Sequence, residues 1–198
     1  MTKSAGGAAS AHTFASVLAA AQQGAGWAST TLWVEYAPAV AAFVRARGSA
    51  EPDDLTSDVC LAVFDTVPRF SGGEPDFRSF VFSIAYRRLV DELRRRSRRG
   101  IHSEFVAEND PRSTPSAETE AIGRLGDSAA LNLLDGLPAD QRTVMVLRIS
   151  GDLTIEQIAE VVGKRPGAVK ALQRRALESL RKKIAPTRTP TAPSNDSE

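Results

Sequence analysis

The chain has a single cysteine, Cys60, and only two histidines, His12 and His102. A lone thiol rules out a disulfide framework and any zinc-ligand spacing, and it suits a reducing cytoplasm. Cys60 falls on a predominantly apolar helical stretch, where a buried structural thiol is the ordinary state. His12 lies in a polar tail and His102 in a linker-like segment, so neither joins a catalytic constellation. Ser71-Gly72-Gly73 lacks the longer spacing and the following Lys-Ser or Lys-Thr of a phosphate-binding loop. No enzyme activity and no cofactor are expected. Long apolar runs are also missing, and nothing approaches the ~18 consecutive apolar residues of a membrane span. The short run from Phe14 to Ala21 follows Lys3 but is bounded by His12, Thr13, Gln22 and Gln23, too broken for a secretory signal. No useful stretch alternates apolar with polar residues as a strand would, so the expected fold is all-α.

Nor is there an excess of charge: 25 Lys and Arg face 24 Asp and Glu, a formal net of +1 in 198 residues. The charges are instead segregated. Arginines crowd into residues 87–99 and basic residues into 164–183, while acids gather at 51–58 and 104–127. Two separate basic patches point to two nucleic-acid contacts.

The stretch from Leu153 to Lys183, LTIEQIAEVVGKRPGAVKALQRRALESLRKK, carries the spacing of a helix-turn-helix unit that reads duplex DNA. Ile155, Ile158, Val161 and Val162 give its first helix one apolar face, and Ala159 is small where the second helix must cross closely. Gly163 suits the left-handed residue that ends a helix, and Pro166 suits the first turn of the next, which should start near Arg165 to Gly167. On that second helix Val169, Leu172, Ala176 and Leu180 face the core. A turn of about 100° per residue puts Gly167, Ala168, Ala171, Arg174, Arg175 and Glu178 opposite, with Lys170 at the edge. Arg174 and Lys170 are the first candidates for base contact; Arg165, Arg175, Arg181 and Lys182 suit phosphates.

Further toward the N-terminus, Leu32, Tyr36, Val40, Phe43 and Val44 mark one helix, and Leu55, Val59, Leu61, Ala62 and Phe64 a second. A third is expected from about Phe77 to Arg99, with Phe82, Tyr86, Leu89, Val90 and Leu93 as its apolar stripe. Phe80, Arg87, Arg88, Asp91, Arg95 and Arg98 lie on its other side. Seven arginines within thirteen residues exceed what a helix dipole uses, and phosphate contact accounts for them better. The loop before this helix, Phe70-Ser71-Gly72-Gly73-Glu74-Pro75-Asp76-Phe77, reads in two ways. Its aromatics either stack on unpaired bases, with Gly72 allowing close approach, or anchor a surface turn in the core.

Residues 1–27 are expected to be a disordered or weakly structured extension, 28–99 a first domain, and 100–123 a linker. Residues 124–184 form a second domain, opening with an apolar helix from Ala129 to Leu137 that Pro138 ends, then Gln141 to Ile149. Residues 185–198 read as a disordered tail.

The arrangement resembles the extracytoplasmic-function group of bacterial σ factors over roughly residues 30–184. LWVEYAPAVAAFVRAR, PDDLTSDVCLAVFDTVPRF and FRSFVFSIAYRRLVDELRRR are similar to the σ2 domain. LLDGLPADQRTVMVLRISGDLTIEQIAEVVGKRPGAVKALQRRALESLRKK is similar to σ4, including the Leu-Pro-x-x-x-Arg lead-in. The resemblance implies two small helical domains that bind core RNA polymerase, through its β′ clamp and β flap, and promoter DNA. Asp53, Asp54, Asp58, Leu61 and Phe64 would then face the clamp. Phe70, Gly72, Phe77, Phe80, Arg87, Arg88, Arg95 and Arg98 would open the −10 element and hold a flipped base. The second helix of the helix-turn-helix would read the −35 element, and the acidic linker would run toward the RNA exit path. Such proteins are commonly held by an anti-σ partner. Phe80 stands where many members have Trp, and Ser57-Asp58 where Gln-Glu is usual. The competing reading is a free-standing dimeric regulator, for which the acidic helix and the second basic module would be superfluous.

Overall fold

The computed structural model describes residues 13–100 and 133–184. Both tails, His12, His102 and most of the expected linker, together with residues 129–132 of the apolar helix, lie outside the described residues.

Among the described residues seven α-helices run in order: α1 Phe14–Gln22, α2 Gly26–Ala46, α3 Pro52–Thr66, α4 Glu74–Gly100, α5 Ala139–Ile149, α6 Ile155–Val162 and α7 Pro166–Ile184. A 3₁₀ turn, Val67–Arg69, follows α3. Among the described residues there is no strand, as expected of an all-α chain.

The first correction concerns the N-terminus, where part of the expected weakly structured extension is helix α1. Thr13 caps it, its hydroxyl accepting from the Ser16 N–H at 3.3 Å. Val17, Leu18 and Ala21 are buried beneath it, against α2 and the 3₁₀ turn. Eight residues of apolar character too short for a signal sequence are the right length for two helical turns with one buried face.

Helix α2 buries Leu32, Tyr36, Val40, Phe43 and Val44 as its spacing requires, with Ala28 added. Pro38 sits inside it. Its ring removes the bond to the Val34 carbonyl, tolerable because Pro38 and Val34 both face solvent. Helix α3 begins with Pro52 at its first turn and buries Leu55, Val59 and Val63. Leu61, counted with the apolar face from sequence, is 67% exposed, and Phe64 is half-buried. The run Cys60–Phe64 is so uniformly apolar that composition hides the i, i+4, i+8 line through Val63.

Helix α4 starts three residues before its expected position. Gly73 precedes it, and its N–H donates to Asp76 Oδ2 at 2.9 Å, closing the first turn. Phe77, Val81, Phe82, Ala85 and Leu89 are fully buried, whereas Tyr86, Val90 and Leu93 are half-buried. The stripe is wider than expected because α4 is covered on two sides, by α2 and α3 and also by α6.

In the C-terminal unit, Gly136 at φ +83° ends the turn after Leu133, so the helix expected to reach Leu137 and stop at Pro138 stops earlier. Arg142 explains the Leu-Pro-x-x-x-Arg lead-in. Its guanidinium donates to the Leu134 carbonyl at 3.1 Å and pairs with Asp135 at 3.2 Å, folding the lead-in onto α5. Helix α6 opens with a full capping box: the Gln157 N–H donates to Thr154 Oγ1 and the Thr154 N–H to Gln157 Oε1. Thr154→Ala is expected to lower the stability of the unit by about 1 kcal/mol, measured as a fall in thermal midpoint of the full chain.

Among the described residues the two units touch one another. Gln157 Nε2 donates to the Pro75 carbonyl at 2.9 Å, and Arg142 Nη1 reaches the Ala46 carbonyl at 3.4 Å. A Cβ on Gly151 would lie 3.2 Å from the Phe82 ring. The buried residues of both units form one hydrophobic cluster.

Candidate nucleic-acid interface

The helix-turn-helix is built as its residue types require. Gly163 takes φ +66°, and the Lys164 N–H returns to the Ala159 carbonyl at 2.9 Å, closing α6. Pro166 is the first residue of α7. Ala159, Val169 and Ala176 are buried where α6 and α7 meet α5, and Leu172 and Leu180 are half-buried. The opposite side of α7 is open: Gly167, Ala168, Lys170, Arg174, Arg175, Arg181 and Lys182 are exposed, as is Arg165 before it. Ala171 is half-buried, nearer the core than the wheel implied. Glu178 lies 3.8 Å from Arg174, a loose and solvated pair. Among the described residues Arg165, Lys170, Arg175, Arg181 and Lys182 have no carboxylate partner. Lys164 and Lys183 are differently engaged, the first with Asp140 at 3.1 Å and the second with the Asp135 carbonyl.

The loop before α4 separates the two readings of its aromatics. Phe77 is 1% exposed. Its ring meets Phe14 at 5.6 Å, Tyr36 at 5.3 Å, Phe70 at 5.2 Å and Phe80 at 5.9 Å. It is a core anchor, and its expected place on a flipped base is corrected. Phe70 and Phe80 face each other at 5.2 Å and stay half-buried, so part of each ring is available. Phe80 is also drawn into this cluster rather than standing on an open basic face. Gly72 takes φ +148°, and a Cβ there would come 2.8 Å from Asp76 Cβ. Only glycine lets the chain pass so close to the first turn of α4. Beyond the loop, Arg87, Arg88, Arg95 and Arg98 are exposed along α4. From Phe80 to Arg98 this face extends about 27 Å at 1.5 Å per residue. Arg94 lies 3.9 Å from Asp91, and Arg95 Nε donates to the Asp91 carbonyl at 3.2 Å.

The third candidate surface is the acidic edge of α3. Asp53, Asp54 and Asp58 are exposed beside Leu61, whereas Phe64 turns inward to meet Trp33 edge-on at 6.5 Å. Asp53 is paired with Arg45, so Asp54 and Asp58 are the freer acids. Val34 on α2 is as exposed as Leu61, at 67%, and sequence reasoning missed it because a valine in a helical apolar pattern reads as core. Cys60 is half-buried, and burial pushes its thiol up, away from the reactive range. Burial pushes the Tyr36 phenol up to about 12, with Glu35 adding to the rise. At the seam burial pushes the Arg47 guanidinium down, and the like charge of Arg142 acts in the same direction. Among the described residues no cluster of His, Cys, Asp and Glu is placed to hold a metal ion, and no helix is long and apolar enough to cross a membrane.

Comparison with known proteins matches both units separately. The family model described as Sigma-70 region 2 covers residues 32–99, and that described as Sigma-70, region 4 covers 133–182. The ECF RNA polymerase sigma factor ShbA of Streptomyces griseus is 35% identical over 133 residues, 65% of this chain and 69% of that protein. SigD of Mycobacterium tuberculosis, also an ECF RNA polymerase sigma factor, is 34% identical over 156 residues, 74% of this chain and 72% of that protein. The fold is shared with the sigma factor RpoE from Bartonella quintana, solved in complex with the anti-sigma factor NepR. The TM-score is 0.62 at 20% identity, covering 79% of this chain and 97% of that one. With a region 2 unit, a region 4 unit and relatives of this kind, the chain belongs to the ECF RNA polymerase sigma factors of the sigma-70 family, which bind core polymerase and direct it to promoters.

Proposed function

We propose a division of labour among the three surfaces of this σ factor. The outward side of α7 reads the −35 element, with Arg174 and Lys170 at base edges and Arg165, Arg175, Arg181 and Lys182 on phosphates. The half-buried Phe70 and Phe80 and the loop at Gly72 receive an unstacked base of the −10 element. Arg87, Arg88, Arg95 and Arg98 carry the adjoining backbone. Asp54, Asp58 and Leu61 dock on the polymerase clamp, with the exposed Val34 of α2 as a further apolar contact. The observation that supports this most is the exposed basic face on each of two units, each unit matching a different region of the family. The protein works in the cytoplasm without catalysis of its own, and an anti-σ protein covers these same surfaces when transcription is to be withheld.

Base contact and phosphate contact leave different signatures. Arg174→Ala is expected to change the ranking of −35 sequences by about 1–3 kcal/mol at one base pair. Lys182→Ala should weaken binding evenly on all sequences and lower the slope of log K against log salt by about 1. Fluorescence anisotropy over a −35 variant panel at several salt concentrations measures both, and equal uniform loss in the two variants contradicts the assignment.

A further inference from the structure

The loop that carries Phe70 and Gly72 has little to hold it from within. Its own bonds are the Phe70 N–H to the Val67 carbonyl at 3.0 Å, the Gly73 N–H to Asp76 Oδ2 at 2.9 Å and the Phe77 N–H to the Gly73 carbonyl at 2.9 Å. Between the first two the chain passes through Ser71 and Gly72, both exposed. Gln157 meets the Pro75 carbonyl at the α4 end, and one further side chain reaches the Phe70 end of the loop from a distant part of the sequence. Gln22, the last residue of α1, donates from Nε2 to the Phe70 carbonyl at 2.8 Å and to the Val67 carbonyl at 3.3 Å, across 48 and 45 residues. The other end of α1 touches the far side of the loop, where Phe14 packs on Phe77. Val17, Leu18 and Ala21 fix the helix in the core between these contacts.

We propose that Gln22 is a positioning residue for base capture: its amide fixes the Phe70–Ser71 peptide and hence the gap in which an unstacked base is received. The amide meets two carbonyls with one NH₂ group, geometry open to a glutamine and closed to a carboxylate, which has no proton to give. Holding the Phe70 carbonyl sets the direction in which the chain leaves toward Gly72 and the tilt of the Phe70 ring, 37° to Phe80. Without the amide the rings remain, but the ordering of the loop has to be supplied by the base as it binds. The helix expected to be a weak extension thus belongs to the DNA-opening machinery. This inference rests on the reading that the loop receives a −10 base.

The test uses the full chain with core polymerase and measures the rate of open-complex formation. Single abasic substitutions across the −10 element of a wild-type-dependent promoter first locate the captured base. Gln22→Leu removes the donors, and Gln22→Glu removes them at nearly constant size and helix preference, so that one variant serves if the other folds poorly. The expected result is a loss of about tenfold on the intact promoter, the scale of one or two hydrogen bonds, and at most about twofold on the abasic template. Core affinity, −35 fragment affinity and thermal midpoint should stay within about twofold or a few degrees. Equal loss on intact and abasic templates overturns the proposal, since a residue acting only on fold or on polymerase contact shows no dependence on that base. Absence of any abasic position that slows the wild type overturns the loop reading itself, a distinct failure visible before any variant is used.

Discussion

Phe77→Ala is expected to lower the unfolding free energy by about 3–5 kcal/mol, the cost of deleting a buried aromatic ring and leaving its cavity. Phe77 is where α1, α2, the loop and α4 meet, four rings lying within 6 Å of its own. The loss is a large part of the ~5–15 kcal/mol that a domain has in total, and it should lower the thermal midpoint by at least about 10 °C. Circular dichroism on the full chain measures it, with Phe77→Leu as the milder companion that keeps most of the volume. A destabilisation below about 1 kcal/mol together with lost promoter opening would return Phe77 to the role of a stacking residue on DNA. The burial of the ring predicts the opposite order: stability falls first, and function falls because the domain does.

The second large effect belongs to the arginine row. Replacing Arg87, Arg88, Arg95 and Arg98 together by Gln should leave stability nearly unchanged. All four side chains are exposed and the core stripe of α4 is untouched. If each places one cation on the backbone of an opened strand, the slope of log K against log salt should fall by about 3, at roughly 0.7 per contact. Extrapolating that slope from 1 M salt gives a loss near 10²-fold in affinity at 0.2 M. Holoenzyme binding to a fork-junction template between 0.1 and 0.4 M salt measures both quantities. An unchanged slope would mean that the row is only a solvated helix end, complementing the dipole at the C-terminus of α4.

The helix-turn-helix was legible because its positions are each constrained by a different physical demand. Gly163 must be left-handed, Pro166 must begin a helix and Ala159 must be small, so the three together leave little freedom. The loop at Phe70–Phe77 was legible only as a place. A phenylalanine is the same letter whether its ring is 1% exposed or half open, and α1, which completes the cage around Phe77, has no motif that sets it apart from a weakly ordered extension. Gln22 was invisible for a related reason, since its partners are backbone carbonyls 45 and 48 residues away, and backbone carries no sequence signal. Val34 shows the reverse difficulty, whereas the resemblance alone already puts Leu61 at the clamp. Periodicity assigns apolar residues to the core, and only solvent exposure singles out those left for a partner. The seam between the units depends on Gln157 meeting the Pro75 carbonyl and on Gly151 lying beside Phe82. Neither contact leaves a pattern within either unit's own helices.

The assignment of the three surfaces is tested most directly by mixing the purified chain with bacterial core RNA polymerase. Co-elution is followed, together with run-off transcription from a library of genomic promoter fragments. The predicted result is a stable complex that initiates from a subset of fragments sharing −10 and −35 sequences, with Asp54→Lys and Asp58→Lys together weakening co-elution. The contradicting result is specific DNA binding by the chain alone with neither association nor initiation, which is how a free-standing regulator behaves.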